Sequence, residues 1–171
     1  MSSKPDRNLA PDSKDQSITQ HAMMLREALR VAENCKDIKW YGVGCVIADS
    51  QGTIVSTGYT GELMEDGKMR HAEDVAISKA VESRYCLTSN GITLYSTLEP
   101  CSVRASGKTP CCQHIIRCGI KNVIYGAKEP YNETLGIVCD GDHVLKSAGV
   151  EVLYLQEFEK ICLSSVVSNR R

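Results

Sequence analysis

The sequence predicts one three-layer α/β/α domain around a mixed five-stranded sheet. Its 171 residues, of which 42% are apolar and 24% charged, are enough to build one sizeable core. Near the start, two short apolar runs flank a turn cluster, which indicates an antiparallel hairpin. Further along, apolar runs alternate with helical segments, which indicates parallel strands joined by helices. The two kinds of pairing together predict the mixed sheet.

The first residues are polar and offer almost nothing to bury. We therefore expect a disordered tail over residues 1–16 and one folded domain over residues 17–171. Ser17 or Thr19 can cap a first helix, which continues to about residue 34. Apolar residues recur there at the three- and four-residue spacing of one helix face, namely Ile18, Ala22, Leu25, Leu29 and Ala32.

The hairpin strands are predicted at residues 43–48 and 53–59, because both runs are rich in β-branched residues and Asp49-Ser50-Gln51-Gly52 lies between them. A polar loop with two glycines separates this hairpin from the rest of the chain. The remaining elements alternate in type: helix 71–84, strand 92–98, helix 111–118, strand 121–126, helix 144–148, strand 150–155 and helix 157–167.

Nine cysteines are many for a chain of this length, and their number is odd. The N-terminal segment lacks the apolar run of a secretion signal, and no apolar run reaches membrane-spanning length. We therefore expect a cytoplasmic protein whose thiols are free or bound to metal, rather than a disulfide framework. The formal net charge of −1 gives no overall basic field, which disfavours a nucleic-acid partner, although a local basic patch would suffice to bind one.

Two cysteines and one histidine stand at positions that favour metal binding. Cys101 comes directly after the third predicted strand, and Cys111 falls in the first turn of the next helix. Helix N-termini favour the thiolate form of cysteine, which is the form that binds metal. His71 opens another predicted helix and offers an imidazole nitrogen. One histidine and two cysteines predict a three-ligand zinc site with one coordination position left for water.

A structural zinc site would instead close with a fourth protein ligand, and the spacing leaves Cys112 and His114 as candidates. An open site has a different use, since it lowers the pKa of a bound water to roughly 7. Glu73, two residues after His71, is placed to take a proton from that water and pass it to a leaving amine. The simpler alternative is that Glu73 interacts only with the dipole of its helix.

These residues resemble the cytidine-deaminase superfamily, whose zinc signature is H-x-E followed by P-C-x-x-C. His71-Ala72-Glu73 and Pro100-Cys101 match it, but position 104 is arginine and the next cysteine is Cys111. The longer basic loop that results is similar to that of the pyrimidine deaminases of riboflavin biosynthesis, in particular the stand-alone fungal branch. The resemblance covers roughly residues 20–155. It implies zinc as the cofactor, His71, Cys101 and Cys111 as its ligands and Glu73 as the catalytic acid and base, with Cys111 rather than Cys112 as the third ligand.

The resemblance also implies the reaction, which is hydrolytic removal of an exocyclic amine from a diaminopyrimidinone. The substrate would carry a ribosylamino or ribitylamino 5′-phosphate. Similarity to the fungal branch favours 2,5-diamino-6-ribitylamino-4(3H)-pyrimidinone 5′-phosphate. Bacterial relatives usually carry a reductase domain after the deaminase domain. This sequence ends before such a domain would begin, so we expect deamination alone from it. Because relatives associate, we also expect a homodimer.

Candidate substrate contacts lie on three loops. The loop before Cys111 is basic, bears hydroxyls and ends at a helix N-terminus, so it is a candidate phosphate site, with a solvated surface loop as the alternative. Its residues of interest are Arg104, Ser106, Lys108 and Thr109. The resemblance adds Thr60, at the position of a substrate-contacting histidine in bacterial relatives. It also adds Glu129 and Asn132, where the family has an acidic-Pro-Asn segment.

Two other functions stay open. One keeps the fold and changes the substrate to a nucleoside, a nucleotide or a tRNA adenosine, which the long loop and the near-zero net charge disfavour. The other is a zinc-stabilised binding module without catalysis. Glu73 distinguishes the second, because a binding module would not depend on this carboxyl group.

Overall fold

A computed structural model describes residues 13–36, 42–68, 70–104, 106–130 and 138–168. The helices are α1 (Ser13–Ala32), α2 (Ala72–Glu82), α3 (Cys111–Arg117), α4 (Gly141–Ser147) and α5 (Glu159–Ser168), with a 3-10 turn at Gln156–Phe158 directly before α5. The strands are β1 (Gly44–Ala48), β2 (Ile54–Tyr59), β3 (Thr93–Ser96), β4 (Asn122–Tyr125) and β5 (Glu151–Tyr154). Among the described helices, none combines the length and apolar character that crossing a membrane requires.

The five strands form one sheet in the order β2-β1-β3-β4-β5. β1 pairs antiparallel with both β2 and β3, whereas β4 pairs parallel with both β3 and β5. Leu94 in the middle of β3 lies opposite Ile47 on one side and Val123 on the other. The prediction of a mixed sheet with an antiparallel opening hairpin is therefore confirmed.

Helices cover both faces of this sheet. α1 packs against β1, β2 and β3 and contacts α5, while α2 packs against β1 and β2 and contacts α3, which in turn contacts α4. A Cβ atom at Gly44 would lie 1.9 Å from the carbonyl oxygen of Ala28 in α1, and one at Gly58 would lie 2.4 Å from that of Ala72 in α2. Since Gly44 and Gly58 point to opposite faces of the hairpin, α1 and α2 lie on opposite sides, as the three-layer prediction requires.

The buried core lies between these layers. Its fully buried larger side chains come from both helices and strands: Leu25, Val46, Ile47, Val75, Leu94, Tyr95, Ile115, Ile120, Val123, Tyr125 and Leu145. The central strands are buried along their whole length, as expected for strands covered on both faces.

Several boundaries differ from the prediction: α4 begins three residues early, at Gly141, β3 is shorter at both ends, and the start of α1 differs most. α1 begins at Ser13, so residues 13–16 form its first turn, whereas the sequence places them in the polar tail. Once a helix has formed, each further residue adds a hydrogen bond without having to bury a side chain, so a polar turn can extend it. Residues 1–12 of the predicted tail lie outside the described residues.

Candidate active site

Three side chains from separate elements meet at one end of the sheet. His71 is the N-cap residue of α2, Cys101 follows β3, and Cys111 is the first residue of α3. Nδ1 of His71 lies 3.7 Å from Sγ of Cys101 and 3.5 Å from Sγ of Cys111, and the three potential ligand atoms lie within 4.8 Å of one another. Ligand atoms of a tetrahedral zinc ion are about 3.5–3.8 Å apart, so this donor set fits zinc.

The start of α3 holds Cys101 in place. The backbone N–H of Cys111 donates a hydrogen bond to Sγ of Cys101 at 3.3 Å, and that of Cys112 donates to the carbonyl of Cys101 at 3.2 Å. Hydrogen bonds from the Cys111 side chain and from His71 lower the pKa of Cys101 to about 3. Cys101 is therefore a thiolate at neutral pH, which is the form that a metal ion requires.

Neither candidate fourth ligand joins this cluster. Sγ of Cys112 turns the other way and lies 3.1 Å from the carbonyl oxygen of Pro100 and 3.7 Å from that of Gly141. Nδ1 of His114 lies 3.7 Å from a carboxylate oxygen of Asp74. The geometry thus places Cys111, and not Cys112, beside His71 and Cys101.

Glu73 lies beside the three potential ligands in the first turn of α2. Its side chain is buried, and Oε1 accepts a hydrogen bond from the hydroxyl of Ser96 at 3.0 Å. Oε2 lies 3.4 Å from Sγ of Cys111. Burial raises the pKa of Glu73 to about 7, despite the opposing effect of His71. A carboxyl group with such a pKa can both accept and donate a proton near neutral pH.

A small cleft that opens to solvent leads to this group. Its lining residues are Val43, Thr60, His71, Glu73, Leu98, Glu99, Cys101 and Glu129. Thr60 and Glu129, both predicted as substrate contacts, therefore share the cleft with His71 and Glu73. Burial raises the pKa of Glu129. Asn132, the third contact taken from the resemblance, lies outside the described residues.

The side chain of Arg104, in the loop before Cys111, is turned inward. It is only 8% exposed, and its guanidinium pairs with Asp74 and contacts Sγ of Cys111. Because these two groups already engage its positive charge, a phosphate contact by Arg104 stays a prediction that this orientation does not support. Ser106 and Lys108 are exposed and Thr109 is half-buried, and none of the three lines the cleft.

Two site residues were missed by sequence reasoning: Ser96 supports Glu73, and Asp74 pairs with Arg104. Glu99, which the sequence suggested as an orienting residue rather than a catalyst, lines the cleft. Its Oε1 accepts a hydrogen bond from the backbone N–H of Asp142 at 2.9 Å. Ser96 and Asp74 offered no indication in the sequence, since their partners are distant along the chain.

The family model described as "Cytidine and deoxycytidylate deaminase zinc-binding region" matches residues 18–127, well over half of the chain. The chain belongs to this family. Zinc is the metal of the deaminase family, and in this deaminase domain His71, Cys101 and Cys111 form the group that could hold it.

The chain is also similar to individual proteins of this family. The deaminase domain is 34% identical to the diaminohydroxyphosphoribosylamino-pyrimidine deaminase of Schizosaccharomyces pombe over 148 residues, which is 86% of this chain and 35% of that protein. It thus spans about a third of the length of this curated relative. The crystal structure of the Aspergillus oryzae Rib2 deaminase matches with a TM-score of 0.73 and 29% identity, covering 88% of this chain and 92% of that one. The same enzyme in complex with DARIPP matches with a TM-score of 0.72, 28% identity and coverage of 89% and 92%.

Proposed function

We propose that this domain deaminates a diaminopyrimidinone that carries a phosphorylated sugar chain, as one step of riboflavin biosynthesis. The observation that carries the proposal is the position of Glu73, a buried carboxyl group with a pKa of about 7, beside a three-ligand metal site that faces a cleft. The name of the S. pombe relative and the DARIPP complex of the A. oryzae relative support this class of substrate.

In this proposal His71, Cys101 and Cys111 hold the zinc ion. When bound, zinc acts as a Lewis acid and lowers the pKa of water in its open position. Glu73 then has the proton-transfer role: its carboxylate accepts one proton as water adds to the amine-bearing ring carbon and passes it to the ring nitrogen. It next accepts the proton of the new hydroxyl group and passes it to the departing nitrogen. The carbon–nitrogen bond breaks, ammonia leaves, and a carbonyl group remains. Ser96 keeps Glu73 oriented by donating to Oε1.

Thr60 and Glu129 are proposed to bind the pyrimidine, because a hydroxyl and a carboxyl group on the cleft wall can pair with ring and amine N–H groups. Asn132 keeps its proposed role on the resemblance alone. For the phosphate we propose Ser106, Lys108 and Thr109, whose hydroxyl and ammonium groups lie on the loop that leads to α3.

Between the two forms of the sugar chain, we propose the ribitylamino compound. Its support is the similarity to the fungal Rib2 deaminase, while the name of the S. pombe relative contains the ribosylamino form. The kcat/KM values of the two synthetic compounds decide between them, and a higher value for the ribosylamino compound would reverse this choice.

The reaction class is tested by ammonia release. Purified protein is incubated separately with the two diaminopyrimidinone phosphates, cytidine and deoxycytidine monophosphate, and with tRNA assayed for inosine. We expect ammonia from the diaminopyrimidinones only. Turnover of a nucleoside, a nucleotide or tRNA adenosine, without turnover of the diaminopyrimidinones, would favour the alternative substrate class of the same fold.

A matched variant separates catalysis from mere zinc binding. Glu73→Gln keeps the size of the side chain, and its amide oxygen can still accept the hydrogen bond from Ser96. The variant should therefore fold normally and still bind zinc. It should lose at least about 10²–10⁴-fold in turnover, the range that general acid–base catalysis contributes. Undiminished activity would remove Glu73 from the mechanism.

We further propose that the protein is a cytoplasmic homodimer. No disulfide joins the cysteines of the described residues, which suits a reducing compartment. Light scattering of the purified protein gives its mass in solution, and a monomer would contradict the proposed assembly.

A further inference from the structure

The buried pair of Arg104 and Asp74 lies against the proposed metal site but outside the residues that line the cleft. We propose that Arg104, held by Asp74, is a positioning residue for the metal site: it donates a hydrogen bond to Sγ of Cys111 and, once this sulfur binds zinc as a thiolate, increases zinc affinity and tunes the electron donation of the sulfur. The inference rests on the metal site of the proposed function, but not on the identity of the substrate.

The contact geometry is direct. Nη2 of Arg104 lies 3.1 Å from Sγ of Cys111, and the same nitrogen contacts Oδ2 of Asp74 at 2.5 Å. The two side chains are only 8% and 5% exposed, so water competes little for these hydrogen bonds. Charge-assisted hydrogen bonds in such surroundings are stronger than the same bonds in water.

The ion pair between Arg104 and Asp74 lacks the two-point geometry of a simple arginine–carboxylate pair. An arginine that only neutralises a carboxylate commonly uses two N–H groups on two oxygens. Within the described part of the chain, Oδ1 of Asp74 and Nε of Arg104 make no hydrogen bond, and the ring of His114 is 3.7 Å from that Oδ1. One nitrogen, Nη2, is instead shared between the carboxylate and the sulfur, which orients the guanidinium toward Cys111.

The surroundings of Cys111 explain why a cation is needed there. Its sulfur is also 3.4 Å from a carboxylate oxygen of Glu73, and Asp74 is the next residue of the same helix turn. A buried thiolate beside two carboxyl groups is costly unless a positive charge offsets it. An N–H group on the sulfur also withdraws electron density, so a metal ion held by Cys111 becomes a stronger Lewis acid.

The test measures metal binding rather than turnover. Zinc affinity is determined by competition with a chromophoric chelator for the wild-type protein and for Arg104→Met, which keeps an unbranched side chain but removes the donor. We expect zinc affinity to fall about 10–100-fold, the usual effect of losing a partner of a metal ligand. Arg117→Met is the matched control, because Arg117 is an exposed arginine of α3 that contacts Gln113, and it should bind zinc like the wild type.

A spectroscopic readout distinguishes tuning of the sulfur from support of the loop. In the cobalt-substituted protein, loss of the hydrogen bond should shift the thiolate-to-cobalt absorption band to longer wavelength in Arg104→Met and leave it unchanged in Arg117→Met. Lower thermal stability of Arg104→Met with unchanged zinc affinity and an unchanged cobalt band would overturn the proposal.

Two further variants keep the proposal testable if Arg104→Met does not fold. Arg104→Lys retains a positive charge and one donor, and should give an intermediate zinc affinity. Asp74→Asn retains Arg104 but weakens its anchor, and should shift the cobalt band in the same direction by less. Wild-type behaviour of both would contradict the proposal. If the wild-type protein binds zinc tightly but releases no ammonia from the diaminopyrimidinone phosphates, the proposed reaction is contradicted and the proposed role of Arg104 is not.

Discussion

Cys111 and Cys112 are neighbours in sequence, yet their thiols lie in different surroundings. Sγ of Cys111 is 3.5 Å from Nδ1 of His71, whereas Sγ of Cys112 is 3.1 Å from the carbonyl oxygen of Pro100. Successive residues of a helix point about 100° apart, so only one of two adjacent cysteines can face the same ion.

This difference predicts opposite outcomes for two serine variants. Cys111→Ser should lose zinc, because a serine hydroxyl does not replace a thiolate ligand, and should lose activity with it. Cys112→Ser should keep zinc, at a cost of about 1 kcal/mol in the free energy of unfolding, because its hydroxyl can still donate to Pro100. Metal content of the purified variants checks both expectations, and loss of zinc from Cys112→Ser with retention in Cys111→Ser would show that the ligand is the other cysteine.

Burial of Glu73 predicts a pH dependence of stability in the zinc-free protein. The pKa of Glu73 is raised to about 7 from an ordinary value of 4.5, so between these values the folded state binds a proton that the unfolded chain has lost. Its contribution to the free energy of unfolding therefore falls as pH rises from about 4.5 to about 7. Glu73→Gln should remove this decline and stabilise zinc-free protein above pH 7 by the order of 1–3 kcal/mol.

Denaturant unfolding of the zinc-free variants at several pH values measures this effect. Glu82→Gln is the control, since Glu82 is an exposed residue of the same helix. If the Glu73→Gln and wild-type curves keep a constant separation across this pH range, the carboxyl group does not titrate as stated.

Short motifs made part of the site predictable. The four predicted residues of the metal site and its acid–base partner follow helix starts or a strand end in the predicted fold, namely His71, Glu73, Cys101 and Cys111. We could therefore predict that they share one site, and the structure brings them together. Arg104 was not predictable, because its partner Asp74 is 30 residues earlier in the chain. A basic residue among hydroxyls in a loop has the same sequence pattern whether its side chain points outward to a phosphate or inward to a carboxylate.

The helices and strands follow the hydrophobic patterns closely. Type and order were predictable because the periods of helix and strand differ and turn residues separate the segments. The ends were less predictable. α1 extends to Ser13 through residues with nothing to bury, and β3 pairs only over Thr93–Ser96 although its apolar run is longer. A polar helical turn and an unpaired extended segment leave no mark in an apolar pattern.

Packing of α1 on the sheet depends on Gly44. A Cβ atom there would lie 1.9 Å from the carbonyl oxygen of Ala28 and 2.7 Å from the backbone nitrogen of Ala32, and neither backbone atom can move alone. Gly44→Ala should therefore lower the free energy of unfolding by about 2–3 kcal/mol, in the range of overpacked cores. Thermal or denaturant unfolding measures the change.

Gly67→Ala is the matched control for this prediction. Gly67 has a φ of 72°, and no atom of the described residues lies within 4 Å of its would-be Cβ, so alanine there introduces backbone strain without a clash against them. We expect a cost of about 1 kcal/mol for it. Equal costs for the two variants would mean that α1 shifts away from β1 without penalty.

Considered as a whole, the molecule has a metal site that joins parts distant in sequence. Its three potential ligands belong to the start of α2, the segment after β3 and the start of α3. An ion that binds only the folded state raises the free energy of unfolding in proportion to the logarithm of its free concentration. The site therefore links stability of the domain to zinc supply.

Removal of zinc should lower stability accordingly. At a free zinc concentration about a thousandfold above Kd, the expected loss on adding a chelator is about 4 kcal/mol. Thermal unfolding of wild-type protein with and without chelator measures it. Cys111→Ser, which should hold no zinc, should unfold at the same temperature in both conditions. A chelator effect of equal size in this variant would place the stabilising metal elsewhere.

The position of β3 between β1 and β4 bears on biosynthesis. On a ribosome the β1–β2 hairpin can form early, but β3 stays open along one side until β4 has been synthesised. Cys101 and Cys111 precede β4 in the chain, so both thiols leave the exit tunnel before the strand that secures them is available. We therefore expect ion capture by the nascent chain to come late, after β4 has emerged, and newly made thiols to depend on a reducing environment until then.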